Sequence, residues 1–433
     1  MKNNSYCKSK SKWKYTKTFL KSLSIQLILI WSFGIWILLE TNSQATSTSE
    51  DWKLLSKLLE QKTSVKDLKP NPLFLNRYNS NSTILLHQLE QKSFLIAAPE
   101  NLNPGLQLPP PIPPAPPKIP NNFTPPATDT ESSKPFAVLE NIQTYFRNDT
   151  DNFGQHNLFI EPTFQFRLQN GNKLFVKSGL ELFEQRDVEL VTNIPLQIGW
   201  QGKVGQVILR TSAGVDFFNR LPTAINFNAK VEAPILPPKV SSSGRLVSGL
   251  TVSANLEQSP YKFNAQTLEN QITAWRFGPD LYWQIDRDTS LFSSLRLGNY
   301  NDGNSEIQSF SRLERKFGQF SVAANLFTWS YDRNVEPTSG YFSPPDFLVY
   351  NAEVAWEGQV FDFLRCRLSA NLGQQRLNGE FDNANTYQTR CTAKLSPKIE
   401  ADLGYSLSNV RNQDTRGSAY SNNSLTGQLR VKF

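Results

Sequence analysis

Leu425-Thr426-Gly427-Gln428-Leu429-Arg430-Val431-Lys432-Phe433 closes the chain, and the reading of this stretch decides the fold. In an extended strand successive side chains point to opposite faces. Leu425, Gly427, Leu429, Val431 and Phe433 therefore share one face, and Thr426, Gln428, Arg430 and Lys432 share the other. A purely apolar row backed by a cationic, hydrogen-bonding row suits a strand whose one side meets lipid and whose other side meets water.

Working upstream, the same alternation recurs. Apolar rows include Leu158-Ile160-Phe164-Phe166-Leu168, Val207-Leu209-Ala213-Val215-Phe217, Phe320-Val322-Ala324-Leu326 and Leu348-Tyr350-Ala352-Val354-Trp356. Two later ones are Leu364-Cys366-Leu368-Ala370-Leu372 and Ile399-Ala401-Leu403-Tyr405-Leu407. Between them sit Glu161, Arg210, Asp216, Asn325, Glu353, Asn371, Glu400 and Asp402. Such rows belong either in a two-sheet sandwich or in a membrane barrel, and the connectors discriminate. Even-numbered connectors are short, as at Asn170-Gly171-Asn172, Gln201-Gly202-Lys203 and Lys316-Phe317-Gly318. Odd-numbered ones are longer: 148–155, 257–269, 332–345, 377–385 and 411–420. A membrane barrel has short periplasmic turns and long external loops, whereas Greek-key crossovers give no such parity. Residues 233–245, with Pro234, Pro237 and Pro238, break the rule and read as a periplasmic loop or a miscounted strand. The spacing predicts an all-β, antiparallel transmembrane barrel of roughly sixteen strands over 135–433, a size that leaves an aqueous channel. Aromatics near strand ends (Tyr145, Phe146, Trp200, Phe217, Phe218, Trp283, Trp329, Tyr331, Trp356) read as interfacial girdles.

Hydrophobic residues are 39% and charged residues 19% of the chain, with mean hydropathy −0.43, so no apolar spanning helix hides in its body. The net charge of +7 is concentrated: seven lysines and Glu40 in residues 1–45 give +6 and leave +1 for the remainder. A nearly neutral remainder has no electrostatic footprint for nucleic acid. The lysines precede an apolar stretch, Leu23 to Leu39, and a small-x-small site, Ser43-Gln44-Ala45, which reads as a signal peptide cut after Ala45, with an uncleaved anchor as the alternative. Residues 46–102 then form a periplasmic segment with one or two helices. The clearest is 49–66, which places Trp52, Leu54, Leu55, Leu58 and Leu59 near one face. Residues 103–134 are a Pro-rich spacer. The segment 46–102 could dock a periplasmic partner. The expected location is the outer membrane, with its lipid as the surrounding solvent.

Cys366 and Cys391 flank the turn signal Asn378-Gly379 symmetrically and fall opposite one another in a hairpin. They are either a disulfide or two small lipid-facing residues. The water-facing row carries cations, Arg365, Arg367, Arg390, Lys394, Arg430 and Lys432, offset by Glu353, Glu400 and Asp402. They form either a pore wall attractive to anions or a set of mutual salt bridges. Only two histidines occur, His87 and His156, and no Gly-x-Ser-x-Gly element or metal-ligand spacing accompanies them, so neither catalysis nor a cofactor is expected. Glu400 and Asp402 share a face as glycosidase acids do, but such pairs are common on wet walls.

The loop Gly340-Tyr341-Phe342-Ser343-Pro344, with Trp356-Glu357-Gly358 beyond it, resembles the outer-membrane barrel at the carboxyl end of bacterial cellulose-export subunits and related exopolysaccharide-export porins. The resemblance implies passage of a cellulose-like glucan without catalysis, and insertion by the barrel-assembly machinery. Tyr341 and Phe342 would then stack on sugar or pin the loop. Residues 46–134 lack the family's long tetratricopeptide array, and the terminal signal has its glycine at 427 rather than 428. A general diffusion or uptake porin is the alternative function. An outer-membrane hydrolase and a soluble carbohydrate-binding sandwich stand behind it.

Overall fold

The structure, a computed structural model, describes residues 136–242, 246–415 and 419–433. The expected signal peptide, the segment 46–102 and the spacer 103–134 lie outside the described residues, as do Cys7 and His87. The strand segments are β1 (Ala137–Asp151), β2 (His156–Leu168), β3 (Lys173–Ser178), β4 (Leu180–Gln185), β5 (Val188–Val204), β6 (Val207–Phe218), β7 (Ala224–Val240), β8 (Leu246–Pro260) and β9 (Thr273–Gln284). They continue as β10 (Thr289–Tyr300), β11 (Ser305–Phe317), β12 (Phe320–Tyr331), β13 (Phe347–Phe361), β14 (Leu364–Leu377), β15 (Glu380–Asn383), β16 (Thr386–Lys394), β17 (Ile399–Ser408) and β18 (Asn422–Lys432). Two short helices, α1 (Ala265–Glu269) and α2 (Glu336–Ser339), interrupt the connectors after β8 and β12.

Every neighbouring pair is antiparallel, and β1 pairs with β18 from Asn141↔Lys432 to Asp151↔Asn422, which closes the sheet on itself. β3 and β4 are halves of one wall strand, since both pair with β2 and β5. The break falls at Gly179, where a Cβ would stand 2.5 Å from the Ile160 carbonyl oxygen. β15 and β16 both pair with β14 and form a second composite strand. The result is a closed antiparallel barrel of 16 strands.

The period-two pattern sets the two faces. Ile198, Val322, Val354, Leu372 and Leu403 are exposed on the outside, while Asp216, Asn325, Glu353 and Asn371 are buried on the inside. Trp200 and Trp356 each lay the indole along the outer face over the glycine two residues on. A Cβ at Gly202 would meet the Trp200 ring at 2.2 Å, and one at Gly358 the Trp356 ring at 2.5 Å. Four aromatics expected in the girdles face inward instead. Trp329 and Tyr331 share parity with inward Asn325 and are buried, and Phe218, in parity with Asp216, packs against a buried apolar cluster. Tyr145 shares parity with the buried Arg147.

In the expected loop at 233–245, the described residues prolong β7 to Val240, antiparallel to β8. Pairing of β6 with β7 ends at Ile208↔Glu232, so Pro234, Pro237 and Pro238 lie beyond the neighbouring strand and remove no ladder hydrogen bond from it. Bulges between Pro234 and Val240 absorb the irregularity. The expected loop 377–385 is a hairpin tip: β14 and β15 turn tightly at Asn378 and Gly379, whose φ values are +52° and +91°. Cys366 lies directly opposite Cys391, with Cα atoms 4.1 Å apart, and the two are bridged.

Candidate functional site

The inner wall between β11 and β18 carries the cations marked by the sequence, and four of those six have acidic partners. Arg365 reaches Glu357 at 2.6 Å, Arg390 reaches Asp402 at 3.3 Å and Arg430 reaches Glu400 at 3.0 Å. Arg367 contacts Glu353 at 2.7 Å, Glu314 at 3.4 Å and Glu357 at 3.7 Å. Lys394 and Lys432 are exposed at the rim where the chain ends. Mutual pairing, rather than a free cationic stripe, describes this wall.

The centre of the network is a residue that sequence reading passed over. Arg312 on β11 makes a two-pronged contact with Glu353 at 2.7 and 2.8 Å and a third bond to Glu314 at 2.6 Å. Its parity with Glu306, Gln308 and Glu314 on β11 was a usable signal. Beside it runs a ladder of amides. The Asn325 side chain donates to Asn351 at 2.7 Å and to Asn371 at 3.1 Å, spanning β12, β13 and β14.

At the opposite rim the connectors fold over the barrel mouth. The loop motif is buried within this cover. Gly340 ends α2 with φ +83°, a left-handed position suited to glycine. The Tyr341 hydroxyl donates to Asp302 at 3.0 Å and accepts from Asn304 at 3.1 Å, while its ring stacks on Tyr300 with centroids 5.0 Å apart. Phe342 meets Trp329 and Phe347 edge-on at 5.7 and 5.6 Å. The Ser343 hydroxyl accepts from the Val335 amide, and the Pro344 carbonyl accepts from the Tyr331 amide. Both aromatic rings are thus enclosed by protein and pin the loop. Burial pushes the Tyr341 phenol well above its usual value, and the carboxylate of Asp302 adds to the effect.

Residues 261–272 form the second part of the cover. Asn264 caps α1 by accepting from the Thr267 amide at 2.8 Å. Ala265 and Leu268 then seat against Phe159, Phe183 and Val191 of β2, β4 and β5. Tyr261, Tyr300, Tyr331 and Tyr341 pack around one another, and their base is held by Glu306. That carboxylate accepts from Tyr300 at 2.9 Å and Trp329 at 2.7 Å and pairs with Arg276 at 3.1 Å. Residues 409–415 and 419–421 complete the cover: the Asp414 amide donates to Glu336 at 3.0 Å and Gln413 donates to Asp151 at 3.0 Å. His156 sits at this rim between Glu184 and Asn148, at 3.2 and 2.6 Å.

The sequence matches no protein-family model and no curated protein. Solved structures resemble it in fold. A structure titled bacterial polysaccharide outer membrane secretin aligns with TM-score 0.55 at 10% identity, covering 68% of this chain and 98% of that one. CdiB from Acinetobacter baumannii aligns at 0.45 and 11% identity over 69% of this chain and 60% of that one, and OprD from Pseudomonas aeruginosa at 0.38 and 9% over 69% and 94%. The fold is that of an outer-membrane β-barrel.

Proposed function

We propose that this chain is an outer-membrane channel that exports an exopolysaccharide, a cellulose-like glucan. The observation that carries the reading is the inner wall: a 16-stranded barrel lined by amides, hydroxyls and cations already paired with acids. A barrel of this size has room for an aqueous path. A wall whose charges are mutually compensated holds no strong field for ionic solutes but keeps many hydrogen-bonding groups for a hydroxyl-rich chain. The path would enter past Lys394 and Lys432 at its inner rim and run along Glu353, Arg365, Arg367, Arg390 and Arg430 toward the covered mouth. The titled role of the secretin structure at TM-score 0.55 and the motif Gly340-Tyr341-Phe342-Ser343-Pro344 agree with a polymer as cargo. In this reading the barrel performs no catalysis, residues 46–102 stand in the periplasm as a docking segment, and the barrel-assembly machinery inserts the chain.

Deleting the gene in its native host tests the proposal. The expected outcome is loss of secreted polymer with polymer retained inside the envelope. Unchanged secretion would sink it, and altered uptake of small solutes with normal secretion would point to a diffusion porin instead.

A further inference from the structure

Tyr261-Lys262-Phe263 leaves β8 with its two aromatic rings packed on each other, centroids 5.9 Å apart, and with the lysine between them aimed elsewhere. The Lys262 ammonium lies 2.7 Å from Asp216 on β6 and 2.9 Å from Glu181 on β4. On the barrel ring β7 separates β6 from β8, and β5 separates β4 from β6, so the loop reaches well around the wall from its own root. Immediately after the lysine, the Phe263 carbonyl accepts from Gln155 at 3.2 Å and Asn157 at 3.0 Å. The margin of the loop is tied to the other side of the cover: Asn264 donates to the Gly340 carbonyl at 2.7 Å and Asn270 to the Thr338 carbonyl at 3.1 Å.

The wall side of the lysine contact is built before the lysine arrives. Asn193 of β5 donates one amide group to both Glu181 and Asp216, at 2.7 Å each, and Asn226 of β7 donates to the other oxygen of Asp216 at 2.8 Å. The Asn193 carbonyl oxygen is buried without a hydrogen-bond partner among the described residues. Lys177 on β3 is engaged with Glu161 at 2.7 Å, so the second ammonium in this corner comes from the loop. Without it, two carboxylates held to one amide would face each other uncompensated in a site where screening is weak.

We infer that loop 261–272 is a strap latched across the barrel mouth by the Lys262 ammonium, seated in a receiver made of Glu181, Asp216 and Asn193, and that withdrawing the ammonium opens the conducting path. This rests on the channel reading above. Burial works against charge on Lys262, but Glu181 and Asp216 outweigh it and hold the ammonium above its ordinary value, so the latch stays charged at neutral pH. Among the described residues the strap has one other charged tie, Glu269 to Arg220, between side chains more exposed than those of the receiver. Its remaining ties are neutral hydrogen bonds and the apolar seat of Ala265 and Leu268.

The experiment is single-channel recording on the full chain refolded in detergent and inserted into planar bilayers, with the folded state of every variant checked by heat-modifiable migration. Wild type and Lys262→Arg keep the latch and are expected to be mostly closed. Lys262→Met is expected to raise open probability on the order of tenfold or more, because it leaves two buried carboxylates facing each other without a counter-charge. If Lys262→Met does not fold, the double variant Glu181→Gln/Asp216→Asn, which neutralises the receiver, is expected to give the same opening. A variant with 263–271 replaced by a Gly-Ser linker separates the two readings. Conductance from the linker variant with none gained in folded latch variants overturns the latch and leaves the channel standing. Silence from the linker variant overturns the channel itself.

Discussion

Asn264 and Gly340, 76 residues apart, help join the two halves of the mouth cover through a 2.7 Å hydrogen bond from side-chain amide to backbone carbonyl. Gly340 cannot be replaced without disturbing that junction. Its φ of +83° disfavours any side chain, and a Cβ there would meet Gln266 Cγ at 2.7 Å and the Thr267 amide at 3.0 Å. Gly340→Ala is expected to cost about 1–2 kcal/mol from backbone strain alone. Limited proteolysis of the folded barrel checks it: cleavage within 261–272 should be faster than in wild type.

Tyr341 distinguishes a structural aromatic from a sugar platform. Its ring is fully buried and its hydroxyl has partners on both sides. Tyr341→Phe is expected to lose about 1–2 kcal/mol of stability, and Tyr341→Ala about 3–5 kcal/mol. Polymer secretion by Tyr341→Phe should match wild type. A secretion defect in that variant with unchanged thermal stability would show that the hydroxyl meets cargo.

Arg312 and Arg365 are expected to respond differently to the same change. Arg312 is 6% exposed, and its removal takes three charged hydrogen bonds from Glu353 and Glu314 and leaves Arg367 to serve both, so Arg312→Met should cost up to about 3–5 kcal/mol. Arg365 is 48% exposed, and Arg365→Met should cost less than about 1 kcal/mol. Urea midpoints for loss of the folded gel band measure both, and equal midpoints would contradict the burial argument.

Alkaline pH should loosen the cover. Lys262, facing Glu181 and Asp216, and Tyr341, facing Asp302 and Asn304, both hold their protons more tightly in the folded loops than in an unfolded chain. Their folded-state values are raised, so the stability they contribute is complete below the unfolded values of about 10 and is lost as pH climbs above them. Bilayer conductance of wild type is expected to stay low through the neutral range and rise between about pH 10 and 12. A rise on acidification alone would contradict the sign.

The Cys366–Cys391 bridge is expected to leave neither Cys366 nor Cys391 reactive when the chain is unfolded without reductant, and to expose both after reduction. Mass measurement after alkylation reads the difference. Because the closed loop is short and its strands are already paired, Cys366→Ala/Cys391→Ala should lower stability by at most about 3 kcal/mol while the barrel still assembles.

The alternation in Leu425–Phe433 and its upstream counterparts made the barrel readable, since a strand between lipid and water leaves period two on the chain itself. Parity would also have placed Trp329 and Tyr331 inside, had it been weighed above the habit of assigning aromatics to girdles. Pro234, Pro237 and Pro238 misled because proline ends an internal strand, and whether a neighbour is present at that height is a property of β6, not of the local sequence. Lys262 was illegible for the same kind of reason. A loop lysine reads as solvated, and its partners Glu181 and Asp216 lie 81 and 46 residues away.

The pairing of Asn141 with Lys432 joins residues 291 positions apart, whereas most other strand pairs are neighbours in sequence. Hairpins from β1–β2 onward can form as soon as their own residues are available, but the last seam cannot begin until the carboxyl terminus has emerged. Until then the sheet is an open ribbon with two bare margins, each able to recruit a foreign strand. Biogenesis of this protein is therefore a race between cyclisation and aggregation, and the arrival of β18 decides when it ends.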